Sequence, residues 1–225
     1  SGFAVKSRMG PVMHYLDRAA VPAPPCLAAY NHGVQTWRNL ADADREQIHD
    51  HLEQMQGRRC AYCEGSIDEL GQHIEHFRRR HDYPALTFSW GNLFRSCNQT
   101  NSCGHFKDNG AGAYNPDDLI DPCLHEPDQY FLFRADGTIS VREGLAANER
   151  HRAIETLRVF SLNPQWGRLR NMRQAAVAGY IQAVDEAASA GFTPDEIRAY
   201  FADCLEYTKE YPFYTAIRHV LTERQ

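Results

Sequence analysis

Four cysteines are spaced to hold one metal ion. Cys60 and Cys63 form a C-x2-C pair, and Cys97 and Cys103 form a looser C-x5-C pair downstream. A tight turn aims both thiolates of a pair at one ion, and the intervening loop closes the tetrahedron, so two such pairs predict a structural four-thiolate zinc site. Between the pairs lies His73-Ile74-Glu75-His76-Phe77. Successive side chains of an extended strand face opposite sides, which lets one of Glu75 and His76 face a metal while its neighbour faces an attacking water. An imidazole with an ordinary pKa near ~6.5 is suited to take a proton from water at neutral pH. A divalent ion beside a phosphodiester neutralises the charge that builds in the transition state. Asn92, in Trp90-Gly91-Asn92-Leu93, carries a side-chain amide able to fix the loop or the imidazole tautomer.

Bulk properties bound what this chemistry acts on. The chain has 225 residues, 43% of them hydrophobic and 24% charged, which fits an ordinary folded protein and excludes a disordered or fibrous one. A formal net charge of -5 argues against nucleic-acid binding by bulk electrostatics, so any such contact must be local. Positive charge does cluster, at Arg58 and Arg59 beside the first cysteine pair and at Arg78, Arg79 and Arg80 after His76. No apolar run approaches a membrane span and no signal-peptide order opens the chain, so a cytoplasmic protein is expected. In that compartment thiols stay reduced, which favours metal binding over disulfides for the paired cysteines. The remaining three, Cys26, Cys123 and Cys204, read as apolar filler. Residues 1–10 look partly like an expression remnant.

The elements that must position these groups are legible from spacing. Beyond the breaker Pro22-Ala23-Pro24-Pro25, Ile48, Leu52 and Met55 predict a helix over residues 42–55, closed by Gly57. From Cys60 to Asp121 the crowding of Cys, His, Asn and Gly predicts loops, a hairpin and one short helix. Asp136-Gly137, between two apolar runs, predicts a second hairpin with a two-residue turn. Beyond Leu145 the pattern is helical, with a stripe running from Trp166 through Leu169, Met172, Arg173, Val177 and Ile181 to Val184. Gly191 stops that stripe, and Thr193, Pro194 and Glu196 form a capping box for a further helix with Ile197, Phe201 and Leu205 on its apolar face.

In these motifs the chain resembles the HNH endonucleases, and among them the PtuB effectors of retron-associated and Septu anti-phage systems. The matching text is Cys60-Ala61-Tyr62-Cys63-Glu64, Ile74-Glu75-His76-Phe77-Arg78, Tyr83-Pro84, Trp90-Gly91-Asn92-Leu93-Phe94, Ser96-Cys97, Cys103-Gly104-His105-Phe106-Lys107-Asp108 and Ile120-Asp121-Pro122. Weaker likeness continues through Asp136-Gly137 and the Ile154-Glu155-Thr156-Leu157 and Leu162-Asn163 segments. The resemblance implies that His76 is the general base, Glu75 a ligand of the catalytic ion and Asn92 the middle position. It also implies a PtuA-type ATPase partner, with the helical C-terminal third as the docking surface. One departure stands out. Gly104 occupies the place where the family carries its third letter, while Lys107 keeps its offset from Cys103. His105 or Asp108 then completes the catalytic ion's ligands.

The expectation is an α+β protein with a ββα-metal core of the HNH type on a four-cysteine zinc knuckle. An N-terminal arm and helix fill residues 1–56, the zinc-stapled core residues 57–125, and a hairpin with a helical region residues 126–225. Zn2+ is structural and Mg2+ or Mn2+ catalytic, with Glu75, His76, Asn92 and His105 at the reacting centre. Arg78, Arg79, Arg80 and Lys107 are expected to meet the phosphates of DNA or RNA. The rival is a non-catalytic zinc module that recruits a protein or nucleic acid. A zinc hydrolase of small molecules is disfavoured, because four thiolates leave the zinc no open position for water.

Overall fold

A computed structural model describes residues 15–223, so the stretch 1–10 lies outside the described residues. Among the described residues, helices are joined by short 3-10 turns and by two separate two-stranded antiparallel sheets. No helix among them is long and apolar enough to cross a membrane.

Helix α1 (Asp42–Gln56) buries Ile48, Leu52 and Met55, the stripe its spacing predicts. It stops at Gly57, whose φ of 64° lies in the left-handed region that glycine enters without a Cβ penalty. The first cysteine turn and the short α2 (Ile67–Leu70) lead into β1 (Gln72–His76). Strand β1 pairs with β2 (Leu93–Cys97) in a register running from Gln72 opposite Cys97 to His76 opposite Leu93. Helix α3 (Cys103–Asn109) then packs back on β2, giving a β-β-α order in which Cys97 ends β2 and Cys103 starts α3, while Cys60 and Cys63 lie in the turn before α2.

The second hairpin comprises β3 (Phe131–Phe133) and β4 (Ile139–Val141). Its connection corrects the two-residue turn expected from Asp136-Gly137. The Arg134 amide donates to the Thr138 carbonyl at 2.9 Å, so Ala135, Asp136 and Gly137 form a three-residue loop. Gly137 supplies the positive φ of 79° that such a loop needs. A Cβ there would also sit 2.3 Å from the Arg170 carbonyl oxygen, so the tip of the hairpin meets the next helices at backbone distance.

Helices α4 (Ala147–Val159), α5 (Arg168–Ser189), α6 (Pro194–Thr208) and α7 (Tyr214–Thr222) complete the chain. The capping box forms as its sequence requires: Glu196 donates its amide to Thr193 Oγ1 at 3.3 Å, and its carboxylate accepts from the Thr193 amide at 2.8 Å. Trp166 departs from the predicted stripe. It precedes α5 and is 79% exposed, because Gly167 starts the helix after it.

Among the described residues, one apolar core joins side chains from Leu16 to Leu221. Tyr62 and Phe160 stack at 4.1 Å between centroids, and Phe77 lies 6.0 Å from Phe94 and 6.2 Å from Phe160. The far end of the chain is tied to the cysteine turn itself. The buried Glu64 carboxylate accepts from the Thr215 amide at 3.0 Å and from the Thr215 hydroxyl, and Arg59 donates to the Lys209 carbonyl at 2.8 Å. Because a buried carboxylate must be hydrogen-bonded to be tolerated, this contact holds α7 against the knuckle.

Candidate active site

The turn from Cys60 to Gly65 is closed by the Cys60 amide on the Gly65 carbonyl and the Glu64 amide on the Cys60 carbonyl. It presents Cys60 and Cys63 to Cys97 at the end of β2 and Cys103 at the start of α3, and all four are buried. Their sulfurs lie within 4.8 Å of one another, with Cys63 and Cys97 at 3.9 Å. A zinc tetrahedron with Zn–S bonds of ~2.3 Å has sulfur edges of about 3.8 Å, and a disulfide needs about 2.05 Å. The spacing therefore fits four ligands of one ion and no disulfide. The Gly65 amide also donates to Cys63 Sγ at 3.4 Å, as amides do around metal thiolates. Burial works against a thiolate at Cys60, but hydrogen bonds from Cys103, Cys63 and Cys97 outweigh it and hold its pKa well below the usual thiol value.

Strand β1 separates its two titratable faces as alternation demands. Glu75 turns towards α3 and is buried. Its Oε1 lies 2.8 Å from Lys107 Nζ, and its Oε2 lies 3.4 Å from His73 Nε2. Gly104 makes this possible, since a Cβ there would stand 2.4 Å from Glu75 Oε2. His105 follows, its ring centred 4.1 Å from that of His73. Burial lowers the His73 pKa, yet the Glu75 carboxylate outweighs it and leaves the net shift upward. Burial and the neighbouring His73 move His105 downward.

His76 faces the other way, into contact with the N-terminal arm. Its ring meets Trp37 edge-on at 4.4 Å, and its Nε2 lies 2.9 Å from the Thr87 carbonyl. A carbonyl only accepts, so Nε2 carries the proton and Nδ1 keeps its lone pair. Burial, reinforced by Arg80 and Lys107, pushes the His76 pKa down to about 4, which keeps the imidazole neutral at physiological pH. Trp37 and Thr87 also border a cleft of about 520 Å3, walled by Arg79, Arg80, His32 and Asp108.

Asn92 is buried and staples the loop between the strands. Its Oδ1 accepts from the Arg78 amide at 2.7 Å, and its Nδ2 donates to the carbonyls of Arg78 at 3.0 Å and Leu86 at 3.2 Å. It touches backbone alone in these bonds and so fixes the segment that carries Thr87.

The basic residues divide. Lys107, expected at the phosphates, is fully buried; its Nζ meets Glu75, the His76 carbonyl at 2.9 Å and Asp108 at 2.6 Å. Burial opposes its charge, but Glu75 and Asp108 outweigh burial and raise its pKa, so it is an internal counter-ion and does not face solvent. Arg78 pairs with Asp117, and Arg79 donates to the carbonyls of Lys107 and Gly112. Arg80 is exposed, its guanidinium 5.8 Å from the Trp37 ring centre.

Sequence reasoning missed His73 and Trp37. The i, i+2 rule that separates Glu75 from His76 also puts His73 beside Glu75, so the first was available. Nothing local ties Trp37 to His76, which lies 39 residues on.

No protein-family model matches the chain. Two curated proteins are similar to it. Septu protein PtuB of Bacillus mycoides is 27% identical over 144 residues, which cover 52% of this chain and 47% of that protein. Septu protein PtuB of Bacillus thuringiensis is 30% identical over 81 residues, covering 35% of this chain and 30% of that protein. The matched stretch thus spans less than half the length of either relative.

Proposed function

We propose that this chain is a metal-dependent endonuclease of the HNH class, hydrolysing phosphodiester bonds of DNA or RNA as an effector in a Septu-like anti-phage system. The observation that carries this reading is the division of β1: a buried carboxylate towards α3 on one face, and a neutral, tautomer-fixed imidazole on the other. Glu75 and His105 would hold one Mg2+ or Mn2+ ion, which when bound neutralises charge developing on the phosphate. His76 takes the proton of the attacking water at Nδ1, because its Nε2–H is committed to Thr87 and its burial keeps it unprotonated. Asn92 acts through the loop it fastens, and Lys107 fixes the orientation of Glu75.

Similarity to the two PtuB proteins supports the effector role, and with it a PtuA-type ATPase partner in the cytoplasm. The C-terminal helices would receive that partner, and Tyr200 and Tyr207 stand exposed there on α6.

The test is His76→Ala, assayed on plasmid and total RNA in EDTA, Mg2+ and Mn2+, with and without the ATPase. Zinc content and thermal unfolding are expected to stay near the parent's, while cleavage falls about a hundredfold or more, the scale of a lost general base. Full cleavage by this variant would remove the general-base assignment. Loss of zinc together with activity would make His76 structural and favour a non-catalytic zinc module.

A further inference from the structure

We infer that loop 31–40 is a lid over His76: Trp37 latches it against Arg45 and Arg80, and phosphate groups bound by those arginines release it. That the phosphates belong to a nucleic-acid substrate rests on the nuclease reading; the latch and its release do not.

A side chain that is to act on a polymer must be reachable, yet His76 is only 5% exposed. The cleft of about 520 Å3 stops short of it: Trp37 and Thr87 line that cleft and also touch the His76 ring, which lies behind them. The two covers differ in how they are held. Thr87 adjoins Leu86, whose carbonyl accepts from Asn92, so the bond it makes to His76 Nε2 belongs to a fastened segment. Trp37 arrives on a loop with few ties to the rest of the chain.

That loop is self-contained. The Asn31 amide donates to Gln35 Oε1 at 2.8 Å, the Gln35 amide to the Asn31 carbonyl at 2.8 Å, and the Thr36 amide to Asn39 Oδ1 at 2.7 Å. Among the described residues, no hydrogen bond or ion pair joins residues 31–39 to anything outside residues 31–40. Its two ends meet at Tyr30, whose hydroxyl donates to Asp44 at 2.6 Å and accepts from the Ala41 amide at 3.1 Å. A hollow of about 320 Å3 separates Asn31 and His32 from Ala85 and Ser89, so the loop is poorly packed beneath its start as well as beside the cleft. Few buried contacts and internally closed hydrogen bonds are what allow a segment to open locally as a unit.

The latch is the half-buried Trp37 ring, with the guanidinium of Arg45 at 5.7 Å and that of Arg80 at 5.8 Å from its centre. Neither guanidinium has a hydrogen bond or ion pair among the described residues, so the ring is what they lie against. An aromatic face holds a cation weakly in water, whereas a phosphate oxygen offers it a charge-assisted hydrogen bond. Phosphate therefore competes with Trp37 for both arginines and favours the open form by its differential affinity. Opening uncovers His76 beside the same arginines, while Thr87 continues to hold Nε2. The ligand that releases the lid is thus delivered to the imidazole, the gating logic of closing loops in enzymes generally.

Zinc-loaded protein without added divalent ion, treated with diethyl pyrocarbonate and mapped by mass spectrometry, reports how open His76 is, with the exposed His81 as internal reference. In the parent His76 should react slowly. Trp37→Ala should raise its rate relative to His81 about tenfold or more, and Tyr30→Phe, which keeps the stack on Phe88 but loses both bonds at the loop's base, by a smaller factor. Zinc content and thermal unfolding confirm that each variant is folded. In protein labelled with fluorotryptophan, with the Trp37 line assigned by Trp37→Phe, polyphosphate should move that line towards the solvent isotope shift of the exposed Trp166. Arg45→Gln combined with Arg80→Gln should give the open line before polyphosphate is added. Cleavage by Trp37→Ala should exceed the parent's, because a lid opposes the base whereas a packing partner supports it. His76 reactivity equal to the parent's in folded Trp37→Ala, a Trp37 line that polyphosphate leaves unmoved, or slower cleavage by folded Trp37→Ala overturns the inference. The two hypotheses fail separately. A lid that polyphosphate opens in a protein that cuts nothing supports the latch and removes the nuclease reading. His76-dependent cleavage with an unmoved Trp37 line removes the lid and leaves the nuclease.

Discussion

Among the described residues, two groups bring potential ligand atoms within 4.8 Å of one another: the four cysteines, and Asp128 with His219 and Glu223. Proximity is the same, but the surroundings differ. In the second group every donor is already matched. His219 Nε2 meets Asp128 Oδ1 at 2.6 Å, and its Nδ1 accepts from the Phe133 amide at 3.0 Å. Arg218 lies 2.9 Å from Asp128 Oδ2, and Arg142 lies 2.7 Å from Glu223 and 3.3 Å from Asp128. A dication placed there would meet two guanidinium groups and no spare lone pair on the imidazole. The cysteines have one another, the Gly65 amide and the Ser96 hydroxyl, and they act electrostatically on the buried Arg173, whose own donors go to the carbonyls of Gly137 and Leu162. Burial pulls the Arg173 pKa down to about 10, with Cys63, Cys103 and Glu64 opposing. A tetrathiolate zinc centre carries a formal charge of about −2, which suits a buried cation nearby. Unmatched charge, more than clustering, distinguishes a site that needs an ion from a scaffold that does not.

The largest expected effect follows from that difference. Cys60→Ser, or removal of metal by a strong chelator, should unfold the central region, because zinc-binding free energy in such knuckles is on the order of 10 kcal/mol and is realised as folding free energy. Since Glu64 in the same turn holds Thr215 on α7, the C-terminal helices should lose protection in hydrogen exchange along with β1 and β2. Native mass spectrometry should find one zinc. A zinc-free parent whose four thiols alkylate readily would show that the four cysteines hold no ion.

Asp128→Asn probes the second cluster, with a smaller effect. Burial disfavours the Asp128 carboxylate, but the His219 hydrogen bond and the charges of Arg218 and Arg142 outweigh it and lower its pKa. A carboxyl depressed in the folded state adds stability above its unfolded pKa of about 3.9, and that contribution is lost as pH falls through the folded value. The variant should therefore lose about 1–3 kcal/mol near neutral pH, with a deficit that shrinks below about pH 4 in denaturant titrations. Its zinc content should equal the parent's. A parent with two zinc ions, one lost on Asp128→Asn, would make the second cluster a metal site after all.

The sequence shows local rules better than long-range matches. Helix α1 and its glycine stop, the capping box at Thr193 and the cysteine pairing all depend on residues a few positions apart, and the structure realises each. The opposite facing of Glu75 and His76 is likewise a period-two fact. Lys107 illustrates what was not legible: a lysine in a polar segment reads as exposed, and only the arrival of Glu75 and the His76 carbonyl makes its burial tolerable. Arg173 sits on the predicted apolar stripe for the same reason, with acceptors from two distant segments. The hairpin loop went wrong on register, since Asp136-Gly137 serves a three-residue connection as well as a two-residue one.

The same distinction between matched and unmatched charge separates the three consecutive arginines, with the smallest expected effect. Arg78 is held by Asp117 and stacks 5.2 Å from Tyr83, and Arg79 is held by carbonyls of α3 and the loop after it while lying 4.5 Å from Tyr114. Both shape the loop that Asn92 fastens. Arg80 has no hydrogen bond or ion pair among the described residues; its guanidinium lies over Trp37 at the rim of the cleft beside His76. On the nuclease reading, Arg80 is the arginine free to meet a phosphate. Arg80→Gln should leave thermal stability unchanged and reduce the salt dependence of nucleic-acid binding by one contact, a slope change of about 0.7 for single strands or 0.9 for duplex DNA. Arg78→Gln and Arg79→Gln should instead lower stability by about 1 kcal/mol or less, with smaller changes in slope. Equal slopes for parent and Arg80→Gln would make Arg80 a solvated charge on Trp37, and a full-unit slope change for Arg78→Gln would show that its pairing with Asp117 opens to admit the substrate.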